Sequence, residues 1–267
     1  MIREPVVSGQ FYPQEAVELK KVIEAFKPKV PPKGAVYGLI LPHAGYVYSG
    51  RVTVATVSKV LPKKRIVILG PNHTGYGEDF ALYPDGRWKI PFGDIPIDKE
   101  LGKAIIDGGT DIVADKLAHR FEHSIEVELP ILHYFFGDFS FAPIVCRAAA
   151  FNVYERVAEQ IFLAIKNIKE EIIFIASSDM THYEPDAAAR RKDRMALEYI
   201  TNLDAEGLVK TVKKENISMC GIAPVAILLL IMKKIGANKA NVSLYETSAE
   251  ATGDTSSVVG YAGVVIS

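Results

Sequence analysis

The sequence predicts an α/β fold: a single three-layer α/β/α domain, residues 1–267, around a mostly parallel or mixed central sheet. Three observations predict it. Apolar strand-like runs alternate with helical periods along the whole chain. Several of those runs are apolar throughout, as in strands covered on both faces. No Ser/Gly-rich linker, charge block or low-complexity tract offers a place to divide the chain. At 29.3 kDa the chain is long enough to bury close to three-quarters of its unfolded surface, so it needs no disulfide or metal staple to fold.

The elements follow in order. Ala16, Leu19, Ile23 and Phe26 lie on one stripe after Pro13 and predict an opening helix. Val36–Leu41 is the first strand, and Ser49 is placed to cap a crossover helix over 50–60. Arg65–Leu69, Phe80–Tyr83, Phe141–Val145, Ile172–Ala176, Val242–Glu246 and Val258–Ile266 are the remaining strands. Helices are expected near 99–107, 122–136, 153–169, 187–201, 204–213 and 222–235; Val157, Ile161, Ile165 and Ile168 mark the third.

Charge and composition exclude several function classes. With 31 basic and 32 acidic side chains and a net charge of -1, the chain has no basic field for nucleic acid or anionic membrane surfaces. The most apolar window, Val225–Met232, has eight residues where a membrane span needs about 20. Cys146 and Cys220 are the only cysteines and the start carries no leader pattern, so a reduced, cytoplasmic setting is expected.

A weak internal repeat locates the chemistry. Gly38-Leu39-Ile40-Leu41 runs into Pro42-His43-Ala44-Gly45-Tyr46, and about 30 residues later Val67-Ile68-Leu69-Gly70 runs into Pro71-Asn72-His73-Thr74-Gly75-Tyr76. That spacing is about one βαβ unit, so the two strands are expected to be parallel and close, with both histidines at the carboxyl edge where α/β sheets bind ligands. Ile172–Ala176 leads into Ser177-Ser178-Asp179-Met180-Thr181-His182 and brings a third histidine to the same rim. Cys220 and Gly221 precede the helix over 222–235, and a thiol at a helix N-terminus is expected to have a lowered pKa. Cys146 ends an apolar strand and reads as structural. His119, His123 and Glu126 fall at i, i+4 and i+7, one face of a helix that could carry a metal or a proton relay; alternatively Glu126 and Glu128 only complement a helix dipole. The sequence has no G-x-G-x-x-G, P-loop, H-E-x-x-H, C-x-x-C or G-x-S-x-G, which removes the common nucleotide, zincin, redox and α/β-hydrolase readings.

Three readings stay open on these residues. The first is a metal centre. The second is a cleft for a peptide or aromatic ligand, with Tyr46, Tyr48, Tyr76 and Tyr183 around the histidine loops. The third is a Cys220 nucleophile activated by a neighbouring histidine.

Five motifs occur in an order that resembles the Memo family: Pro42-His43-Ala44-Gly45-Tyr46, Gly70-Pro71-Asn72-His73, Glu122-His123-Ser124-Ile125-Glu126, Ser177-Ser178-Asp179 with His182, and Cys220-Gly221. Val259-Gly260-Tyr261-Ala262-Gly263 is similar to that family's closing strand. The Memo family is in turn similar to class III extradiol dioxygenases, non-haem iron enzymes that open catechol rings. By position, the resemblance implies His43, His73 and Cys220 as metal ligands, His182 and His123 as further catalytic histidines, and Tyr46 and Asp179 at the substrate. It implies one divalent or redox metal, Fe(II) or Cu, with Zn also accommodated, acting on a small aromatic molecule or peptide. Partners implied by the same resemblance are a radical SAM protein and an AMMECR-type domain protein. A thiolate where the dioxygenases carry a carboxylate would make the site softer and suited to copper.

Overall fold

The computed structural model describes residues 1–28, 35–166, 168 and 170–267. The first half contains β1 (Ile2–Arg3), α1 (Ala16–Phe26), β2 (Gly38–Leu41), α2 (Tyr46–Val57), β3 (Arg65–Pro71) and β4 (Phe80–Leu82). The hairpin β5 (Arg87–Ile90) and β6 (Gly93–Pro96), α3 (Lys99–Asp107) and β7 (Val113–Ala114) follow. After a 3-10 turn at Glu126–Glu128 come α4 (Leu129–Phe136), β8 (Ser140–Cys146), α5 (Phe151–Ile165), β9 (Ile172–Ser177) and β10 (His182–Glu184). The chain closes with α6 (Asp186–Thr201), α7 (Ala205–Lys214), α8 (Ile222–Lys234), β11 (Ala240–Thr247), α9 (Ala249–Thr252) and β12 (Val258–Ile266).

Among the described residues the large sheet has nine strands in the order β10-β12-β2-β9-β3-β8-β4-β7, with β11 on β12. The four central strands β2, β9, β3 and β8 are parallel; β12 and β4 run antiparallel to their central neighbours, so the sheet is mixed. A separate sheet orders β1-β5-β6. Successive residues of the central strands enter two different cores. Leu39, Leu41, Ile66, Ile68, Ile173 and Ile175 pack with Leu19 and Ile23 of α1 and Val54 and Val57 of α2. Ile40, Val67, Leu69, Phe174 and Ala176 pack with residues of α3, α5, α6, α7 and α8. This is the three-layer arrangement, and it explains why these strands are apolar without alternation. Each fully buried leucine or isoleucine contributes about 1.5–3 kcal/mol, so the strand ends that carry the histidine loops are firmly anchored.

β2 and β3 are parallel, as the repeat predicts, but they are not neighbours: β9 lies between them and pairs with both. The three strands end in step, Leu41 opposite Ser177 and Leu69 opposite Ala176, so the loops after them rise from one rim. The first predicted strand starts two residues late, at Gly38. α2 starts at Tyr46 rather than near 50, and Ser49 lies inside it, donating to the Ala44 carbonyl. The predicted helix over 153–169 is α5, Phe151–Ile165; positions 167 and 169 lie outside the described residues. The largest difference is the helix expected over 122–136. Residues 122–125 are irregular because the Glu122 side chain accepts backbone N–H groups that a helix would leave to solvent, and Pro130 marks the true start of α4. No helix of the described residues is long and apolar enough to cross a membrane.

Gly221, which precedes α8, is a close approach. A Cβ there would run into the Ser178 side chain and the Ser177 carbonyl at the end of β9. Gly221→Ala is therefore expected to destabilise the fold by about 1–3 kcal/mol, as overpacking does, and to push Cys220 away from the rim. Denaturant unfolding of the variant beside the parent chain measures it, and an unchanged midpoint would refute the close-approach argument.

Candidate metal centre

The rim loops and the segment after β7 enclose a cavity of about 350 Å³. His43, His73, His123, Asp179 and His182 line it, with Gln10 and the aromatic rings of Phe11, Tyr48, Tyr183 and Tyr261 completing the wall. His43 follows β2, His73 follows β3, and Asp179 and His182 follow β9. The rim argument therefore holds for all three histidines it named.

His43, His73 and His123 present ring nitrogens that all lie within 4.8 Å of one another, the spacing a shared metal ion needs. His73 and His123 stack, with ring centroids 4.9 Å apart, and both stand edge-on to His43. Cys220 is not a member of that group. Its Sγ lies 3.4 Å from His43 Nε2 and accepts from Asp179 N–H at 3.3 Å. His123 thus stands beside the two histidines as a third imidazole, while Cys220, the third ligand implied by the family resemblance, touches the cluster through His43. The expected lowering of the Cys220 thiol pKa is also corrected: burial, reinforced by the Asp179 carboxylate, pushes it well up and outweighs the helix N-terminus. Cys146 is a buried thiol packed in the core, as read from the sequence.

What stands behind each imidazole decides which nitrogen faces the cavity. His73 Nδ1 is 2.9 Å from Glu122 Oε1, and the His73 amide donates to Glu122 Oε2. Burial works against a charge on His73, yet the Glu122 carboxylate lifts its pKa above the ordinary imidazole value. Burial alone would raise Glu122, but the bonds from His73 and from Ser124 N–H hold it down at about 2. His43 Nδ1 is 2.7 Å from Ser177 Oγ, and the same oxygen lies 2.8 Å from both the Ser124 carbonyl and Glu128 Oε1. A hydroxyl has one proton. The Ser124 carbonyl can only accept it, so His43 Nδ1 and the Glu128 carboxyl must be the donors. Glu128 is fully buried, its Oε2 has no partner, and burial raises its pKa well above the usual carboxylate range, all of which fit a neutral acid. With Nδ1 engaged, the lone pair of both His43 and His73 is on Nε2, and that of His43 meets the Cys220 thiol. Burial, then the neighbouring imidazoles, lowers the His43 pKa, which keeps the ring in the neutral form that ligates metals.

His182 is fixed in the same sense. Its Nδ1 lies within 2.9 Å of two carbonyl oxygens, Met180 and Ser218, so Nδ1 carries the proton and Nε2 is a base. His123 differs: its Nδ1 lies 3.6 Å from Glu122 Oε1, too far for a hydrogen bond, and the ring packs against His73 and Phe11. Asp179 accepts the His43 amide, and burial pushes its carboxyl up to about 6.

Two sequence assignments do not reach the cavity. Tyr46, expected at the substrate, is buried under α2 and donates its hydroxyl to the Val127 carbonyl, because the first turn of the helix points this side chain into the core. His119 is fully buried against Tyr83 and Trp88, with Nε2 on the Ala81 carbonyl; without a helix over 119–126, the i, i+4, i+7 face does not exist. The orienting residues Glu122, Glu128 and Ser177 were in motifs that the sequence made visible, but their roles depend on contacts across 49 positions or more. Gln10 and Phe11 are not among the predicted site residues, although the N-terminal stretch Gly9-Gln10-Phe11-Tyr12 is where the chain departs from the family pattern.

The Glu122 carboxyl, held near 2 in the folded chain against 4.5 otherwise, contributes about 3 kcal/mol at most. A depressed carboxyl stabilises above its unfolded pKa and loses that contribution as pH falls. Stability is therefore expected to decline between pH 4.5 and about 2. Glu122→Gln should lower stability at neutral pH and flatten that acid decline. Unfolding midpoints measured across the range test it, and an equally steep decline in the variant would contradict the assignment.

Residues 3–265 match the profile of the Memo-like protein family. A MEMO1 family protein of Methanopyrus kandleri is 40% identical over 280 residues, covering 99% of each chain. One from Methanosarcina barkeri is 40% identical over 268 residues, covering 99% of this chain and all of the relative. An uncharacterized protein from Escherichia coli K12, known from a crystal structure, shares the fold with a TM-score of 0.53 at 12% identity, covering 86% of this chain and 100% of the other. With a family profile spanning nearly every residue and full-length relatives at this identity, the chain belongs to the Memo family.

Proposed function

We propose that the cavity is the active site of a metal-dependent oxidoreductase resembling the extradiol dioxygenases, acting on a small aromatic molecule. One observation carries the reading: His43 and His73 each have Nδ1 engaged from behind, by Ser177 and Glu122, and offer Nε2 toward a third imidazole. Ligating histidines are held in this way, since a partner on the far nitrogen fixes the tautomer and raises basicity. Neutral imidazoles suit Fe(II), Cu and Zn, and the Cys220 sulfur beside His43 favours the softer Cu(I). The residues therefore fit such an ion, held by His43, His73 and His123 with Cys220 as the adjacent soft donor. Bound there, iron or copper would supply Lewis acidity toward a phenolic oxygen and redox chemistry toward dioxygen.

The chain's own residues perform the remaining work. His182 Nε2 takes a phenolic proton and returns it, with the Met180 and Ser218 carbonyls holding the ring in the basic tautomer. Asp179 keeps the His43 loop in place through its amide. Tyr183 is 79% exposed and sits in the left-handed region at φ 59, a conformation that needs support and places an aromatic ring at the mouth. That mouth also supports a second reading, a binding module for an aromatic or peptide ligand without turnover.

The test combines anaerobic metal titrations with a panel of catechols assayed for ring-opened product and oxygen uptake. His43→Ala and His73→Ala should each abolish tight binding of Fe(II). Cys220→Ser should weaken Cu(I) far more than Fe(II). His182→Ala should leave metal affinity nearly intact and lower turnover by about 10²–10⁴. Metal binding without turnover of any catechol would favour the binding module, and a parent chain that takes up no metal would end the metal-centre reading.

A further inference from the structure

His123 belongs to a segment that does not follow a strand of the rim, so something other than the sheet must place it. The N-terminal arm lies against that segment. Glu126 is buried, and its carboxylate accepts from Arg3 Nη1 at 2.8 Å, from Val6 N–H and Val7 N–H at 2.9 and 3.0 Å, and from the Tyr12 hydroxyl at 3.0 Å. Arg3 is also buried. Its other donors go to the His119 and Glu122 carbonyls, and its guanidinium lies 4.0 Å over the Trp88 ring. The arm then turns so that the Phe11 carbonyl accepts the Tyr46 amide, at the start of the helix that follows the His43 loop. Its ring meets His123 edge-on at 5.0 Å. Of the four imidazoles around the cavity, His123 is the one with no ring hydrogen bond among the described residues, so its position depends on that wall.

We infer that Glu126 is a positioning residue: by gripping the N-terminal arm through Arg3 and the Val6 and Val7 amides, it holds Phe11 against His123 and sets the third imidazole of the cluster. A buried pair broken on one side leaves an uncompensated charge, so the arm should shift even where the rest of the fold persists. The inference rests on the metal-centre reading for its consequence, though the placement of His123 is testable without metal.

The experiment uses the full chain with Glu126→Gln, and with Arg3→Lys as a milder variant that keeps the charge and loses the fork. On the metal-free protein, the imidazole NMR signals of His123 should move in both variants, while those of His182, held by its two carbonyls, stay. Co(II) titration then reads the consequence. Glu126→Gln should weaken Co(II) by about 10–100-fold and alter its visible spectrum, the range seen when a ligand loses its support. In a His123→Ala background the same substitution should cost less than about threefold, because the cycle removes the residue through which Glu126 acts. Unmoved His123 signals, or an equal loss of Co(II) affinity in both backgrounds, would overturn the inference. If the parent chain binds no Co(II), the metal reading fails, and the NMR result alone decides the role of Glu126.

Discussion

A carboxylate taken out of water must be met by donors or a cation, or it must take up a proton. Glu122, Glu126 and Glu128 are all buried within seven consecutive residues, and the site is organised around how each one is satisfied. Glu122 stays ionised on backbone N–H groups and the His73 ring. Glu126 is paired with Arg3 and gathers the arm. Glu128, with no cation beside it among the described residues, is the neutral acid that donates to Ser177. Each solution reaches a different part of the cavity: His73, then His123 with Phe11, then His43. A segment that would otherwise be an unremarkable helix start becomes the bracket between the sheet rim and the N-terminus.

That bracket also marks the limit of what the sequence made legible. β2, β3, β8 and β9 could be read because strands buried on both faces leave continuous apolar runs, and the loops at their ends placed His43, His73 and His182 on one rim. The hairpin β5–β6 could not, since Arg87–Ile90 and Gly93–Pro96 are four-residue strands mixing charged and apolar positions around a glycine with φ +134. Residues 122–125 mimic a helix N-terminus in composition, yet the acid that would cap a helix instead serves a histidine 49 positions away. Arg3 and Glu126 are 123 positions apart, and no local pattern announces such a pair. Periodicity reports which face a residue presents, and it carries nothing about which distant group will satisfy a buried charge.

The same logic accounts for the Cys220 thiol. At Cys220, burial and the neighbouring Asp179 carboxylate outweigh the helix N-terminus, although the residue is only partly closed off from solvent. An unassisted nucleophile is poorly served by that setting, because it must carry negative charge next to another negative group. A cation in the cavity would reverse the balance by favouring the thiolate and the Asp179 carboxylate together.

The cluster is also electrically uneven, and that bears on how an ion would sit in it. His73 is backed directly by an ionised carboxylate, whereas His43 is backed by a hydroxyl that itself accepts from a neutral acid. An imidazole that donates to a carboxylate gains electron density at its far nitrogen; one that donates to a serine oxygen gains less. His73 is thus the stronger base of the two, and His43, in contact with the Cys220 sulfur, is the one whose metal bond a thiolate could share or replace. His123, without a ring hydrogen bond, completes the gradient. The three imidazoles are thus supported most firmly on the Glu122 side and least at His123, and Phe11 and Tyr183 border the cavity where a ligand would approach.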